Sequence, residues 1–551
     1  MKIFLIQTPL FGISPPIGIA QLGAYMEQAG HDVKAFDMNN DLYLRRGEAY
    51  QYAWEGGFSV NWSDPRWVSE LFQHHEQFIL SEYIRPIAAA GEAVVGFSIT
   101  SCSLVPSLLI ARMIKQAAPG VRVVLGGQHF TVNRASAAET AALEEVDAVV
   151  LGDGEYTMAE LMQYWKDGRG LESCKGLYCK GPEGTMFTGP RKPVVLDELP
   201  FANYRLFDLD RYDNYDSHLI LFMASRGCVR SCTFCGYRTP WAGYRYMSGE
   251  RLYAEIKHQE KVIPGVRGLY FYDLLVNGDM HALGTLCDKI IADPQCRYPW
   301  EYCNTIIRPE MTEDFCRKLK AAGCGYTQIG LESGSQHVLD LMKKEQEVAT
   351  IETVLRNLSN AGIAVKGNFM FGFPGETEED FAETLALLRR VHPYLPKVYP
   401  SYTFTLMEPA SPIGMQKGRF GVAVASKPDS DIFWESADGT NTYPRRFERY
   451  KSFVKLAESF GLEVEYGYKC PVEVFQSYWL GRYFVYKDDY VSAVEQYDTY
   501  LKYDSQNQEV RDLRAASLKT LAVRGGSGAV TKRSGSSGGV ASYLKKILAR
   551  K

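Results

Sequence analysis

The chain has 551 residues and a mass of 62.0 kDa, too long for one domain at roughly 150 residues each, so about three or four are expected. Hydrophobic residues at 46% and charged residues at 23%, with 49 Gly and 25 Pro, exclude collagen-like and wholly disordered chains. A net charge of -4 and a pI near 6.2 provide no global field for nucleic acid or an anionic membrane, and no nucleic-acid partner is expected.

The sequence opens MKIFLIQTPLFG, an apolar strand running into proline without the apolar core and small-residue cleavage site of a leader, and no run of 18 apolar residues follows. A cytoplasmic protein is expected. Twelve scattered cysteines suit a reducing compartment in which thiols pack cores or hold metal.

From Lys2 to Trp165 short β-branched runs (KIFLIQ, HDVKAFDM, AVVGFSIT, VRVVLGG, DAVVLGDGE) alternate with amphipathic helical stretches. This predicts an α/β, doubly wound, Rossmann-like parallel sheet over 1–172. The first crossover helix is expected to end at Gly30. An aromatic-rich insertion over 39–92 (Trp54, Phe58, Trp62, Trp67, Phe72) reads as a lid or helical excursion, or as surface packing. Residues 173–212 read as a connector, its first part a strand-turn-strand with PEG and TGP as turn signals.

A second series starts at HLILFMAS and runs through GLYFYD, WEYCNTI, YTQIGLES, VKGNFMFGF and KVYPSYTFTL. Closed eight-stranded barrels need about 250 residues, so six strand-helix units over 213–414 predict a partial (β/α)6 TIM barrel. Its active face is expected at the C-terminal ends of the strands. Residues 415–523 read as a mainly helical accessory region with a β segment (LEVEYGYK), a helical pair over 473–520 and one tetratricopeptide-like hairpin. Phe433, Trp434, Tyr443, Phe475, Tyr478, Trp479 and Tyr483 hint at an apolar or planar pocket there, with core packing as the plainer meaning. Residues 524–551 read as a flexible linker and a basic tail, in which Lys545, Lys546, Arg550 and Lys551 flank Leu544, Ile547 and Leu548. Such a tail is either solvated or a weak, salt-sensitive peripheral membrane contact.

The sharpest signal is SRGCVRSCTFCGYR, which sets Cys228, Cys232 and Cys235 in C-x3-C-x2-C just past the first barrel strand. Shuffling this composition yields that spacing about 0.006 times. Thiolates so spaced suit zinc or an iron-sulfur cluster. Structural zinc requires a fourth ligand, and no nearby His or Cys at finger spacing supplies one. Three ligands leave one metal open, which favours catalysis.

The loop resembles that of the radical S-adenosylmethionine (radical SAM) superfamily. The resemblance implies a 4Fe-4S cluster on the three cysteines, with the open iron chelating the methionine part of S-adenosylmethionine. It further implies that Phe234 belongs to the cluster loop. Asp273, at the end of YFYD, would accept from the methionine amino group, and Arg308 would lie near its carboxylate. Glu332 and Ser333 of GLESGSQHVLDLMKK would meet the ribose and methionine, and the turn Gly372 to Gly375 would approach the adenine.

PPIGIAQLGAYMEQAGHDV, GFSIT, VVLGGQH and VVLGDGE ahead of such a barrel resemble the cobalamin-binding radical SAM enzymes over residues 1 to about 410. The loops after the strands would then bind cobalamin through Thr8, Pro15, Gly18, Ser98, Thr100, Ser101, Gly126, Gly127, Gln128, His129, Gly152, Gly154 and Glu155. The D-x-H-x-x-G signature of a lower histidine ligand is absent, and neither His31 nor His129 sits in one.

The resemblance implies a methyltransferase acting on an unactivated carbon, less often phosphorus, of a small molecule. A methyl group passes through cobalamin, a second S-adenosylmethionine yields a 5'-deoxyadenosyl radical, and flavodoxin or ferredoxin supplies electrons. A cyclase or rearrangement enzyme with the same cofactors is the alternative. A methylthiotransferase would carry three further cluster cysteines in its N-terminal domain, whereas only Cys102, Cys174 and Cys179 precede the barrel and the last two lie in the connector. A non-catalytic cobalamin sensor gains nothing from an open cluster. No catalytic residue beyond these emerges from the sequence.

Overall fold

The computed structural model describes the chain except residues 11, 52, 55–60, 213–217, 239–242, 402–403, 406, 426, 428, 467–469 and 526–551. Phe58 and the basic tail therefore lie outside the described residues. Two compact bodies divide the chain. One comprises Met1–Val229, Tyr237–Gln328 and Asn357–Ala364; the other comprises Arg230–Gly236, Ile329–Arg356 and the chain from Val365 on. The division passes through the cysteine loop, with Cys228 in the first body and Cys232 and Cys235 in the second.

The first body opens with β1 (Lys2–Gln7), β2 (Asp32–Asp37), β3 (Ala93–Ser98), β4 (Arg122–Gly126) and β5 (Ala148–Val150). All pair in parallel in the order β2-β1-β3-β4-β5. The runs of Val, Ile, Leu and Phe in β1, β3, β4 and β5 are buried because helices cover both faces, whereas the edge strand β2 is not. The helix Ile17–Gln28 ends as expected at Gly30, where φ is +83° and His31 N closes back on Met26 O. The 173–212 connector does more than link: β6 (Leu177–Gly181) and β7 (Gly184–Phe187) form a hairpin that extends the sheet antiparallel to β5.

The aromatic insertion is core. Trp54, Trp62, Leu71, Phe72 and Tyr83 are buried in one cluster with Phe4 and Ile6 of β1. Packing, not a lid, accounts for Trp54, Trp62 and Phe72.

The same body carries the first barrel strands: β8 (Leu219–Phe222), the two-residue β9 (Ser225–Arg226) and β10 (Arg245–Tyr246), β11 (Gly268–Phe271), β12 (Trp300–Tyr302) and β13 (Asn304–Thr305). β12, β11 and β8 are parallel neighbours. The second body holds the C-terminal half of β14 (Tyr326–Glu332), nearly all of β15 (Ala364–Phe369), and β16 (Lys397–Pro400) and β17 (Glu463–Val464), neighbours in that order. Helices follow the strands in chain order, among them Gly249–Gln259, Met280–Ala292, Glu313–Ala321, Val348–Asn360 and Glu378–Val391. The expected helical pair beyond 473 is three helices, Val472–Tyr486, Tyr490–Tyr503 and Gln508–Gly525. Among the described residues no helix is long and apolar enough to cross a membrane.

Candidate cofactor sites

In a doubly wound sheet, ligands bind beyond the C-terminal ends of the strands. The first body has a cleft there with about 1420 Å³ of empty space, part of it open to solvent. Leu5, Ile19, Leu22, Val124, Val150 and Met158 form its apolar floor. Of the residues expected at cobalamin, Gly18, Ser98, Thr100, Gly126, Gly127, Gln128, Gly152, Gly154 and Glu155 line it. A side chain at Gly18 would stand 3.9 Å from Ser98 Oγ, whereas one at Gly152 would meet nothing within 4 Å. Such a glycine-walled cleft, with hydroxyls and an amide at its edge, fits a broad macrocycle approached by backbone.

Thr8, Pro15, Ser101 and His129 are not among the lining residues. Thr8 is wholly buried, its hydroxyl 2.6 Å from Ser107 Oγ, and so braces the loop from inside. The ring of His129 is held between Ser101 Oγ at 3.3 Å and Ser136 Oγ at 2.9 Å, and burial lowers its pKa. His31 precedes β2, at the strand ends opposite the cleft. His129→Ala should therefore leave the optical spectrum of bound cobalamin unchanged; a clear shift would place an imidazole on cobalt.

Residues of the barrel strands close the cleft: Met223, Ser225, Arg226, Gly227, Tyr272, Asp273 and Leu274. Tyr272 donates to Ser14 Oγ at 2.8 Å and packs against Tyr270 with its ring tilted by 41° and the centroids 4.6 Å apart. None of these except Asp273 was legible from the sequence, because their partners lie far away along the chain. Asp273 is buried and accepts from Ala224 N at 3.1 Å and from Ser225 N and Oγ at 2.5 Å each. Burial outweighs these bonds and pushes its pKa up to about 7.

A carboxyl whose folded pKa lies above its unfolded value contributes stability that is complete below about 4 and is lost as pH rises through about 7. Between about pH 5 and about pH 8 the wild type should lose more stability than Asp273→Asn, measured by denaturant midpoints. Equal losses would show that Asp273 is ionised throughout.

Arg308, also in this body, donates to Gly278 O at 2.7 Å and to Glu310 Oε1 at 2.9 Å.

In the second body, Phe234 packs with Val338, Met342, Phe373, Met407 and Ile413. Thr233 N donates to Met342 O at 2.8 Å, tying the cysteine loop to the end of the GLES segment. Glu332 ends β14 with φ +64°, rare for a residue with a side chain, and is held by Lys344 Nζ at 2.8 Å. Lys344 Nζ lies 5.8 Å from the Phe234 ring centre. Ser333 turns inward, its hydroxyl 3.0 Å from Thr384 Oγ1. Gly372 and Gly375 have φ of +72° and +92°. Asn441 Nδ2 donates to Gly372 O at 3.1 Å, and Glu376 accepts from Gly372 N and Arg449.

The C-terminal aromatics are core rather than pocket: Phe433, Trp434, Tyr443, Phe475 and Tyr483 are buried, with Phe433 and Tyr443 rings 4.9 Å apart. Among the described residues no disulfide forms and no group of three or more His, Cys, Asp or Glu is gathered as a ready-made metal cage.

Two family models match the chain: the radical SAM superfamily over residues 223–388 and the B12 binding domain over residues 69–162. An uncharacterized methyltransferase of Pyrococcus horikoshii is 26% identical over 333 residues, covering 57% of this chain and 68% of the relative. The anaerobic magnesium-protoporphyrin IX monomethyl ester cyclase of Rubrivivax gelatinosus is 23% identical over 390 residues, covering 66% and 67%. Among solved structures, the radical S-adenosylmethionine methyltransferase TsrM from Kitasatospora setae, with tryptophan substrate and a SAM analogue bound, superposes with TM-score 0.58 at 17% identity, covering 77% of each chain.

The chain is thus a radical SAM enzyme with a B12-binding domain ahead of its barrel strands. Its two matched domains and these relatives support a place among cobalamin-binding, methyltransferase-like radical SAM enzymes. Its cofactors are a 4Fe-4S cluster, S-adenosylmethionine and cobalamin.

Proposed function

We propose that the enzyme transfers a methyl group to an unactivated carbon, less readily phosphorus, of a small molecule. The observation that carries this reading is the cleft itself: the glycine-walled strand ends of the B12-binding domain and the segment leading into Cys228 line the same cavity. When bound, the cluster supplies the electron that releases a 5'-deoxyadenosyl radical from S-adenosylmethionine, and cobalamin carries the methyl group.

The chain's own part is placement. Gly18, Gly126, Gly127, Gly152 and Gly154 let the main chain approach the macrocycle, and Ser98, Thr100 and Gln128 offer hydrogen bonds to its rim. The apolar floor keeps water from the face that reacts. Cys228, Cys232 and Cys235 would hold the cluster with one iron open. Asp273 faces the cleft as an acceptor for the methionine ammonium, whose charge would draw its proton off. Arg308 shapes the neighbouring loop, Phe234 and Glu332 border the nucleoside, Ser333 fixes the strand end, and Gly372 to Gly375 approach the adenine. Tyr272 and Leu274, 39% and 38% exposed, form the wall that a substrate meets, which suits an apolar or planar molecule. A flavodoxin or ferredoxin would deliver electrons. The basic tail offers at most weak, salt-sensitive adsorption to an anionic membrane.

The relation to the ester cyclase favours a second reading, radical ring formation or rearrangement without methyl transfer. Anaerobic reconstitution with methyl-labelled S-adenosylmethionine and host extract separates the two. A labelled product heavier by CH2, formed together with 5'-deoxyadenosine, supports methyl transfer. 5'-Deoxyadenosine with an unlabelled product selects the second reading.

A further inference from the structure

Arg226 and Arg245 are register partners of the antiparallel pair β9–β10, and like charges opposite each other across a ladder repel. The turn after β5 holds them there. Asp153 accepts from Arg226 Nη1 on Oδ1 and from Arg245 Nη1 on Oδ2, each at 2.7 Å. Glu155 takes Arg226 through both oxygens, at 3.1 and 2.5 Å. Val194 closes the set, its N donating to Asp153 Oδ2 and its carbonyl accepting from Arg245, each at 3.1 Å. The side chains of Arg226, Asp153 and Glu155 are 8%, 6% and 5% exposed. Two cations and two anions make the cluster neutral, which is the condition for burying charge.

Both ends of this cluster are functional walls. Gly152, Asp153, Gly154 and Glu155 line the cleft, and so do Arg226 and Gly227. Asp273 separately grips Ala224 and Ser225. The chain is therefore held at three successive residues, by backbone at Ala224 and Ser225 and by side chain at Arg226. Gly227 follows with φ +89°, then Cys228. A ligand that immobilises the Gly152–Glu155 turn also immobilises Arg226, and with it the entry to the cysteine loop.

We infer that Arg226 is a positioning residue that couples the two cofactors: cobalamin in the cleft strengthens retention of the cluster on the loop that starts at Cys228, and the cluster strengthens cobalamin binding. The inference rests on the reading above that these residues hold those groups. Such coupling is reciprocal and typically about 5- to 150-fold.

The test uses the full-length protein under anaerobic conditions. Hydroxocobalamin is titrated optically into protein with its reconstituted cluster and into protein stripped of iron by a chelator. Stripping should weaken cobalamin binding about tenfold, within the usual range of couplings. Iron retention in an equilibrium chelator competition should fall by the same factor when cobalamin is withheld. Adding cobalamin should also shift the electron paramagnetic resonance signal of the reduced cluster. Arg226→Lys keeps the charge but cannot bridge two carboxylates; its ratio should fall toward one and the spectral shift should vanish, while circular dichroism stays unchanged. If Arg226→Lys fails to fold, Glu155→Gln is judged by the same ratio. A variant ratio equal to the wild type's, or a wild-type ratio of one, overturns the inference. A wild type that takes up neither iron nor cobalamin overturns the functional reading instead.

Discussion

Alanine at Cys228, Cys232 or Cys235 should abolish iron binding and 5'-deoxyadenosine formation, yet leave a folded chain that still binds cobalamin. Two of the three thiols differ in exposure from the others in the barrel. Cys287, Cys296 and Cys316 are buried, and burial pushes their pKa values up to about 12, 12 and 11. Such thiols stay protonated and serve as packing. Cys228 and Cys235 are only half-buried, while Cys232 between them is buried. The B12-binding sheet has its own core on both faces, so losing one loop thiol does not threaten it. Iron content and chromatography of the cleavage product measure the outcome. Cys316→Ala is the control and should retain both. Persistent cleavage in any single triad variant would remove the cluster from this loop.

How much of this was visible in the sequence depends on how local each signal is. β1, β3, β4 and β5 announce themselves because strands covered on both faces need near-continuous apolar runs, whereas the edge strand β2, DVKAFD, alternates. The β6–β7 hairpin was legible as a hairpin, but its addition to the sheet was not, since a strand's neighbour is set by tertiary contact. The helix Val472–Tyr486 lacks the one-sided apolar stripe from which helices are read, with aliphatic and aromatic residues together all round it; a pair was therefore expected where three helices stand. In the cleft, glycines and hydroxyls were legible because backbone approach demands them. Arg226, Arg245 and Tyr272 were not: Arg226 meets Glu155, 71 residues away, and Tyr272 meets Ser14, 258 residues away. Thr8 was misplaced for the opposite reason. A hydroxyl beside a glycine-rich loop reads the same whether it faces a ligand or, as here, Ser107.

Gly372→Ala should destabilise the second body far more than Gly375→Ala, although both positions have positive φ. The backbone strain is shared, about 1 kcal/mol for a non-glycine in the left-handed region. The difference lies in what the new methyl group meets. At Gly375 it meets the end of the flexible Leu341 side chain, Cδ1 at 2.9 Å, which can turn aside. At Gly372 it would fall 2.1 Å from Arg446 Cδ and 2.2 Å from Cγ. Arg446 cannot turn aside. It is fully buried, donates to Asn441 Oδ1 at 3.1 Å, Ile432 O at 3.2 Å and Trp434 O at 2.9 Å, and lies 4.1 Å from the Trp434 ring centre. Burial already lowers its pKa to about 9, a sign of how costly its charge is there. Displacing the guanidinium leaves buried donors without their acceptors, which costs about 1–3 kcal/mol. Denaturant unfolding of the two variants should separate them by about that amount. The same comparison assigns work to the region beyond the barrel strands. Residues 432–449 supply Asn441, Arg446 and Arg449, which hold the Gly372–Glu376 turn from outside. If that turn meets the adenine, Gly372→Ala should also weaken S-adenosylmethionine binding in protein that remains folded, whereas Gly375→Ala should change it less. Equal stability of the two variants would mean that Arg446 yields, and that this buttress is looser than its bonds indicate.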